Sequence, residues 1–239
     1  MNKDKVAIFI LAAGKGSRMR PVTFFLPKPL IPISLNRRLI SWVIDMGIQS
    51  GFPTYVLVRQ KQAKIFAKMI GRNNVTIISS PHDRETGGEI LNHHNLLING
   101  LYKYVVVVPA DYCIKSFQLK SLIRHLESIE GDIAVVGCNM RACGEYLATD
   151  DTGLIKEIRR EKTNISAVGI YALRTSILKE NLDLREKKIH TTDLLNIFIK
   201  RGYKAYIFDF AGEWNDLGTW SRYFRFIFRN IFQIKFSPT

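Results

Sequence analysis

Short apolar runs alternate along the chain with segments in which apolar residues recur at every third or fourth position. The runs have the length of β-strands, and several are apolar at every position, which is typical of strands covered on both faces. The predicted strands are residues 6–12, 55–58, 75–78, 104–108, 133–136, 168–173 and 205–210. The predicted helices are residues 39–46, 62–70, 88–99, 117–129 and 192–200. This alternation predicts an α/β fold with a mostly parallel sheet and helices on both faces.

Composition favours one folded unit. The chain has 239 residues, of which 46% are hydrophobic and 23% charged, values typical of a globular protein with one sizeable core. No internal repeat, low-complexity tract or long linker interrupts the pattern, so we expect one domain over residues 1–239. The 35 lysines and arginines exceed the 21 aspartates and glutamates, which gives a net charge of +14. Nucleotides, sugar phosphates, nucleic acids and anionic membranes all suit that charge.

The cysteines and the first residues indicate a cellular location. Cys113, Cys138 and Cys143 are an odd number without further ligands at zinc spacing, which predicts reduced thiols in a cytoplasmic protein. The apolar run after Lys5 superficially resembles a signal peptide, but a Gly-Lys-Gly-Ser-Arg sequence follows where a cleavage site is expected. No apolar run approaches the roughly 20 residues that span a bilayer, so membrane contact is not expected.

A glycine-rich turn follows the first predicted strand. Gly14 and Gly16 would let backbone N–H groups approach a polyphosphate, and Lys15, Arg18 and Arg20 add positive charge beside them. The turn matches neither the Walker sequence nor the Gly-x-Gly-x-x-Gly dinucleotide pattern. A nucleoside triphosphate is the ligand that such a turn would accept.

A second cation follows in a proline-rich segment, where Pro27 and Pro29 hold Lys28 in an extended stretch near the same phosphates. Residues 14–30 together resemble the G-x-G-[ST]-R-x-x-P-x-T-x-x-x-P-K-P-L signature of the sugar-1-phosphate nucleotidylyltransferases. The resemblance implies a Rossmann-like nucleotide-diphospho-sugar transferase fold and catalytic roles for Arg18 and Lys28. The nucleotide contacts that it implies in this turn are Leu11, Ala13, Gly14, Gly16 and Ser17.

Two distant aspartates continue the resemblance. Asp111 ends a β-branched strand, where open α/β sheets present groups to ligands. Asp216 lies in a sequence that is similar to the family's W-x-D-x-G-T motif. Two carboxylates beside a triphosphate repel each other unless a hard cation lies between them. The resemblance therefore implies that Asp111 and Asp216 bind Mg²⁺.

Looser matches concern the substrates. Gly87 and Gly88, in a Glu-Thr-Gly-Gly sequence, resemble the nucleobase-binding turn of the short uridylyltransferases that act on N-acetylmuramic acid 1-phosphate. Lys162 matches the lysine of the family's E-K-P, which meets the sugar phosphate, although Thr163 replaces the proline. Gly169 matches the family's N-A-G-I-Y, with alanine in place of asparagine. The implied division is a mainly nucleotide-binding part over residues 6–120 and a mainly sugar-phosphate-binding part over residues 121–220.

The resemblance implies an enzyme that makes a nucleotide sugar and pyrophosphate from a nucleoside triphosphate, with UTP favoured, and a sugar 1-phosphate. Two alternatives stay open: a transferase to a non-sugar phosphate such as choline phosphate, and a non-catalytic nucleotide-sugar-binding regulatory protein. A nucleic-acid partner is not expected, because no nucleic-acid-binding pattern appears. Residues 220–239 predict an aromatic and basic helix that packs on the domain itself, on a second subunit or on an anionic membrane. A monomer and a homodimer are both compatible with this sequence.

Overall fold

The computed structural model describes residues 5–70, 75–80, 85–114, 117–139, 144–185 and 187–235, and for residues 98 and 230–235 it describes the backbone. Cys143 lies outside the described residues. The strands are β1 (Val6–Leu11), β2 (Thr54–Arg59), β3 (Val75–Ser80), β4 (Tyr104–Pro109), β5 (Tyr112–Ile114), β6 (Ile133–Cys138), β7 (Tyr146–Thr149), β8 (Ile155–Arg159), β9 (Ser166–Arg174), β10 (Ala205–Asp209) and β11 (Trp214–Asp216). The helices are α1 (Ser41–Ser50), α2 (Ala63–Ile70), α3 (Glu85–Asn92), α4 (His94–Asn99), α5 (Leu119–Ser128), α6 (Thr175–Glu180), α7 (Thr191–Lys200) and α8 (Trp220–Lys235).

A nine-stranded mixed sheet forms the centre of the molecule, with the main order β10-β6-β9-β4-β1-β2-β3. Strands β3, β2, β1 and β4 run parallel to one another, and β10 runs parallel to β6. Strand β9 is antiparallel to both β4 and β6 and so joins the two parallel groups. The predicted mixed, mostly parallel sheet is therefore confirmed.

Helices cover both faces of this sheet. In β1, Val6, Ile8 and Ile10 point to a buried cluster that includes residues of α1, α2 and α5. The alternate residues Ala7 and Phe9 point to a second cluster with residues of α3, α4, α6 and α7. Because successive side chains of a strand face opposite sides, a central strand must be apolar at every position. This explains the continuous apolar runs from which the strands were predicted.

All predicted strands and helices lie within, or overlap, elements of the structure. The predicted helix over residues 88–99 is two helices, α3 and α4, with a turn at His93. The sequence analysis missed the short strands β5, β7, β8 and β11 and the helix α6.

A two-stranded antiparallel ribbon, β5 with β11, lies beside the main sheet. It packs in a third buried cluster that includes Met19 of the glycine-rich segment, Cys113 of β5 and Phe226 of α8. One face of α8 thus packs on the protein itself, whereas Phe224 and Phe228 are 49% and 58% exposed. Among the described residues, no helix has the length and apolar character needed to cross a membrane.

Candidate active site

A cleft of about 650 Å³ opens at the carboxyl ends of β1 and β4, where Leu11 and Pro109 line its wall. This is the edge at which open α/β sheets bind their ligands. The sequence-predicted residues that line the cleft are Leu11, Gly14, Gly16, Ser17, Arg18, Lys28, Asp111, Gly169 and Asp216. The structure thus brings both predicted catalytic cations and both predicted metal ligands to one place.

The glycine-rich turn is fixed by contacts within its own motif. Gly16 has a φ of 64°, in the left-handed region, and a Cβ at this position would lie 3.1 Å from Thr23 Cγ2 and 3.2 Å from Lys28 Cβ. The Thr23 hydroxyl donates a hydrogen bond to the Gly16 carbonyl at 2.9 Å. By contrast, nothing lies within 4 Å of a Cβ placed on Gly14, so backbone there is open to an approaching ligand. The turn leads into the 3₁₀ turn Ser17–Met19, in which Met19 is buried and Arg18 is exposed.

Lys28 reaches the cleft from the 3₁₀ turn Lys28–Leu30, so the predicted extended stretch is wrong at this residue. The turn is anchored by buried Pro29 and Leu30. Its Nζ forms an ion pair with Asp111 Oδ2. The two side chains are only 11% and 20% exposed, so solvent screens this pair weakly. The structure therefore holds the Lys28 charge inside the cleft.

The ribbon of β5 and β11 brings Asp216 next to Asp111. The β5–β11 pairing places Asp216 opposite Tyr112, the residue after Asp111, and the Leu217 N–H donates to the Asp111 carbonyl at 3.1 Å. The position that a Cβ on Gly218 would occupy lies 2.5 Å from Asp216 Oδ1 and 3.2 Å from Lys28 Nζ. Lys28 therefore lies beside both carboxylates.

This donor set suits Mg²⁺. Carboxylate oxygens are hard ligands, and Mg²⁺ usually takes one or two of them together with substrate phosphates and water. Among the described residues, no cluster of three or more His, Cys, Asp or Glu side chains could hold a metal ion by itself. Asp111 and Asp216 could therefore hold a cation that also binds phosphate, rather than enclose it.

The opposite wall of the cleft is polar. The Thr192 hydroxyl donates to Glu145 Oε1 at 2.6 Å, and Thr191 Oγ1 lies 2.7 Å from Thr86 Oγ1. Gly169 has a φ of 82°, and a Cβ there would lie 2.8 Å from Tyr112 Oη, so only glycine suits this position. Hydroxyl and carboxylate groups of this kind can hydrogen-bond a sugar.

Tyr171 also lines this wall, and sequence analysis did not select it. Its ring is 3% exposed, and its hydroxyl is buried without a hydrogen-bond partner among the described residues. Burial raises the pKa of Tyr171; the nearby Thr191 hydroxyl opposes the rise and the Glu145 charge adds to it. The side chain is therefore a neutral phenol, and a ligand would reach its buried O–H only through a small movement of the wall.

Some predicted site residues lie elsewhere. Ala13 lines a small adjoining pocket of about 60 Å³. Gly87 and Gly88 are buried in α3, and both of their N–H groups donate to the Ile189 carbonyl, at 3.0 and 3.1 Å. A Cβ on Gly87 would lie 2.9 Å from the His190 carbonyl oxygen, so its close approach is to the protein's own backbone.

Lys162, the predicted sugar-phosphate ligand, is exposed and is not among the described residues that line the cleft. Arg160, two residues earlier and just after β8, does line it. The sequence analysis missed Arg160 because it chose the lysine by its match to a motif whose proline is absent here. The position of Arg160 makes it a further candidate ligand for a phosphate.

Comparisons with known proteins agree with this geometry. A glucose-1-phosphate adenylyltransferase from Bacillus cereus is 27% identical over an alignment 247 positions long. One from Clostridium novyi is 26% identical over an alignment 250 positions long. These alignments cover 91% and 92% of this chain, which spans 65% of the length of each relative. The fold is shared with a crystal structure described as a glucose-1-phosphate thymidylyltransferase from Bacillus anthracis in complex with a sucrose. That likeness has a TM-score of 0.77 and 19% identity and covers 92% of this chain and 93% of the other.

The family model described as Nucleotidyl transferase matches residues 7–229, which include the glycine-rich turn, the lysine segment and both aspartates. The match thus extends over nearly the whole chain and every element of the cleft described above. This protein belongs to the nucleotidyl transferase family.

Proposed function

We propose that this protein transfers a nucleotidyl group from a nucleoside triphosphate to a sugar 1-phosphate, with Mg²⁺ as cofactor, and releases pyrophosphate. The observation that carries the proposal is one cleft lined by Arg18, Lys28, Asp111 and Asp216. Family membership and the names of the relatives support the same reaction type. A non-catalytic binding protein is less favoured, because it has little need of this charge arrangement. A non-sugar acceptor is less favoured, because the relatives are named for transfer to glucose 1-phosphate.

In the proposed reaction, a phosphate oxygen of the sugar 1-phosphate attacks the α-phosphorus of the triphosphate. One P–O bond forms as the bond between the α-phosphorus and the bridging oxygen breaks, and that electron pair leaves with pyrophosphate. A phosphate monoester has a second pKa near 6, so the attacking oxygen is largely ionised at neutral pH and needs no general base. The protein must instead align two anions and neutralise the charge at the reacting phosphorus.

Arg18 and Lys28 supply that neutralisation in our proposal. Arg18 is an exposed guanidinium at the cleft and can grip two phosphate oxygens in its planar fork. Lys28 provides a compact charge, which the ion pair with Asp111 already holds near the reacting atoms. When bound by Asp111 and Asp216, Mg²⁺ would neutralise phosphate charge and act as a Lewis acid.

The polar wall that includes Glu145 and Tyr171 takes the sugar in our proposal, consistent with a nucleotide-binding part over residues 6–120 and a sugar-phosphate-binding part over residues 121–220. Arg160, which lines the cleft, would bind the acceptor phosphate, and Lys162 would have to move from its exposed position to join it. Gly87 and Gly88 would not contact the nucleobase themselves. They would support its binding site by holding α3 against the segment before α7. We propose that the protein is cytoplasmic, where nucleoside triphosphates are available as substrates.

The finer proposal concerns the base and the sugar. The Glu-Thr-Gly-Gly sequence at residues 85–88 favours UTP and N-acetylmuramic acid 1-phosphate. The relatives and the structural neighbour are named for adenylyl and thymidylyl transfer to glucose 1-phosphate, which makes ATP and dTTP the direct competitors.

A matrix of substrate pairs tests both the reaction type and the choice of base and sugar. The full chain is mixed with Mg²⁺, each of UTP, ATP, dTTP, CTP and GTP, and each of several hexose 1-phosphates including N-acetylmuramic acid 1-phosphate, and pyrophosphate is measured. We expect release only when both substrates are present, with UTP and N-acetylmuramic acid 1-phosphate leading. A lead by ATP or dTTP with glucose 1-phosphate would correct the specificity alone. Pyrophosphate release that is independent of the sugar phosphate, or none with any pair, would reject the reaction.

A further inference from the structure

Each of the two predicted metal ligands contacts a cation from the protein itself. Lys28 Nζ contacts Asp111 Oδ2, and Arg222 Nη1 contacts Asp216 Oδ2. Lys28 belongs to the motif from which the site was predicted, whereas Arg222 comes from the first turn of α8. Arg222 is not among the described residues that line the cleft, so it approaches Asp216 from the side of the helix.

Contacts other than the one with Arg222 also orient Asp216. The Gly218 N–H donates to Asp216 Oδ1 at 2.6 Å, and the ladder between β11 and β5 fixes the backbone opposite Tyr112. The Asp216 side chain is 9% exposed, which limits its movement further. The contribution that remains for Arg222 is its positive charge.

That charge matters for a metal ligand. A guanidinium in contact with a carboxylate reduces the attraction of the carboxylate for a second cation, because the two positive charges repel each other. A triphosphate brings several negative oxygens of its own, and these outweigh one protein charge when nucleotide and cation arrive together.

We propose that Arg222 weakens the binding of a divalent cation to the Asp111–Asp216 pair in the nucleotide-free protein, so that the cation enters with the triphosphate. The inference rests on the proposed function and adds a residue of the C-terminal helix to the control of its metal site. Arg222 acts through Asp216 rather than on substrate. A purely structural tether would have the opposite effect, because its loss would disorder a ligand and weaken metal binding.

Binding of Mn²⁺ to the nucleotide-free full chain, followed by electron paramagnetic resonance, tests this proposal. Arg222→Gln and Arg222→Ala should each bind Mn²⁺ roughly tenfold more tightly than the wild type, because each removes one positive charge that contacts the carboxylate. Arg222→Lys keeps the charge and should stay near the wild type. Arg225→Gln removes an exposed charge from the same helix and is the matched control, with no change expected. With a non-hydrolysable triphosphate present, the difference between the wild type and Arg222→Gln should shrink several-fold.

Unchanged or weaker Mn²⁺ binding by the folded Arg222→Gln and Arg222→Ala variants would overturn the inference and leave the proposed function standing. Equal tightening by Arg225→Gln would also overturn it, since the effect would then come from net charge. Equal binding by Asp216→Asn and the wild type would overturn both the inference and the metal assignment. A thermal melt of each variant identifies those that are folded.

Discussion

Replacing Tyr171 with phenylalanine removes one hydroxyl from the wall of the cleft and leaves the ring in place. The hydroxyl is buried without a partner among the described residues, and the ring is 3% exposed. An unsatisfied buried polar group costs about 1–3 kcal/mol of stability. At the lower end of that range, we expect a gain of about 1 kcal/mol. For a chain of this length, that gain corresponds to a rise in Tm of about 2–4 °C.

The same change should weaken the sugar subsite. If the Tyr171 O–H donates to the sugar, its loss removes one neutral hydrogen bond, which corresponds to a roughly 2- to 10-fold higher KM for the sugar 1-phosphate. The KM for the nucleoside triphosphate should not change. Calorimetric melting curves and initial-rate kinetics with each substrate varied in turn measure the two effects.

Tyr104→Phe is the matched control for Tyr171→Phe. The Tyr104 hydroxyl is also buried without a partner among the described residues, and its ring is 1% exposed, but it begins β4 at the end of the strand away from the cleft. Its replacement should raise Tm by a similar amount without changing either KM. A lower Tm for Tyr171→Phe, or an unchanged KM for the sugar 1-phosphate, would refute the reasoning.

Further predictions concern glycines and pH. Gly87→Ala should lower stability by about 1–3 kcal/mol, because its Cβ would lie 2.9 and 3.0 Å from two backbone carbonyl oxygens. Gly14→Ala should leave the melting curve unchanged, since nothing lies within 4 Å of its Cβ, but raise the KM for the triphosphate. Hydrogen bonds from Lys156 and Thr152 lower the pKa of Asp150. The wild type should therefore melt above Asp150→Asn at neutral pH, and the gap should close as the pH falls below about 4, where an unfolded Asp takes up its proton. A gap that is constant with pH would contradict that assignment.

The sequence predicted the buried parts of the fold and missed its short, half-polar strands. Strand β4 could be predicted because all its positions must be apolar between two layers of helices. In strand β8 only Ile155 and Ile158 of the five residues are buried, and β11 has three residues, two of them polar. Segments this short carry too little periodicity to be predicted, because their strand conformation depends on pairing with distant residues.

The site residues, too, were only partly predictable from the sequence. Sequence alone could identify three of the site residues. Arg18 and Lys28 lie in the motif that follows the first strand, and Asp111 comes directly after an apolar strand. The proximity of Asp216 to Asp111 depends on the β5–β11 ribbon, which the sequence analysis missed. Only the resemblance to a family indicated that the two aspartates act together. Neither Arg160 nor Arg222 carries a local signal, because their positions follow from the end of one strand and the docking of one helix.

The central claim is that Asp111 and Asp216, with Arg18 and Lys28, form one centre for nucleotidyl transfer. Phosphorus NMR of the wild type and Asp111→Asn, each with Mg²⁺, UTP and N-acetylmuramic acid 1-phosphate or the best pair from the matrix, tests it most directly. We expect a nucleotide sugar and pyrophosphate in equal amounts from the wild type, and a rate about 10²–10³-fold lower from Asp111→Asn with its melting curve little changed. Formation of both products by Asp111→Asn at nearly the wild-type rate would contradict the account.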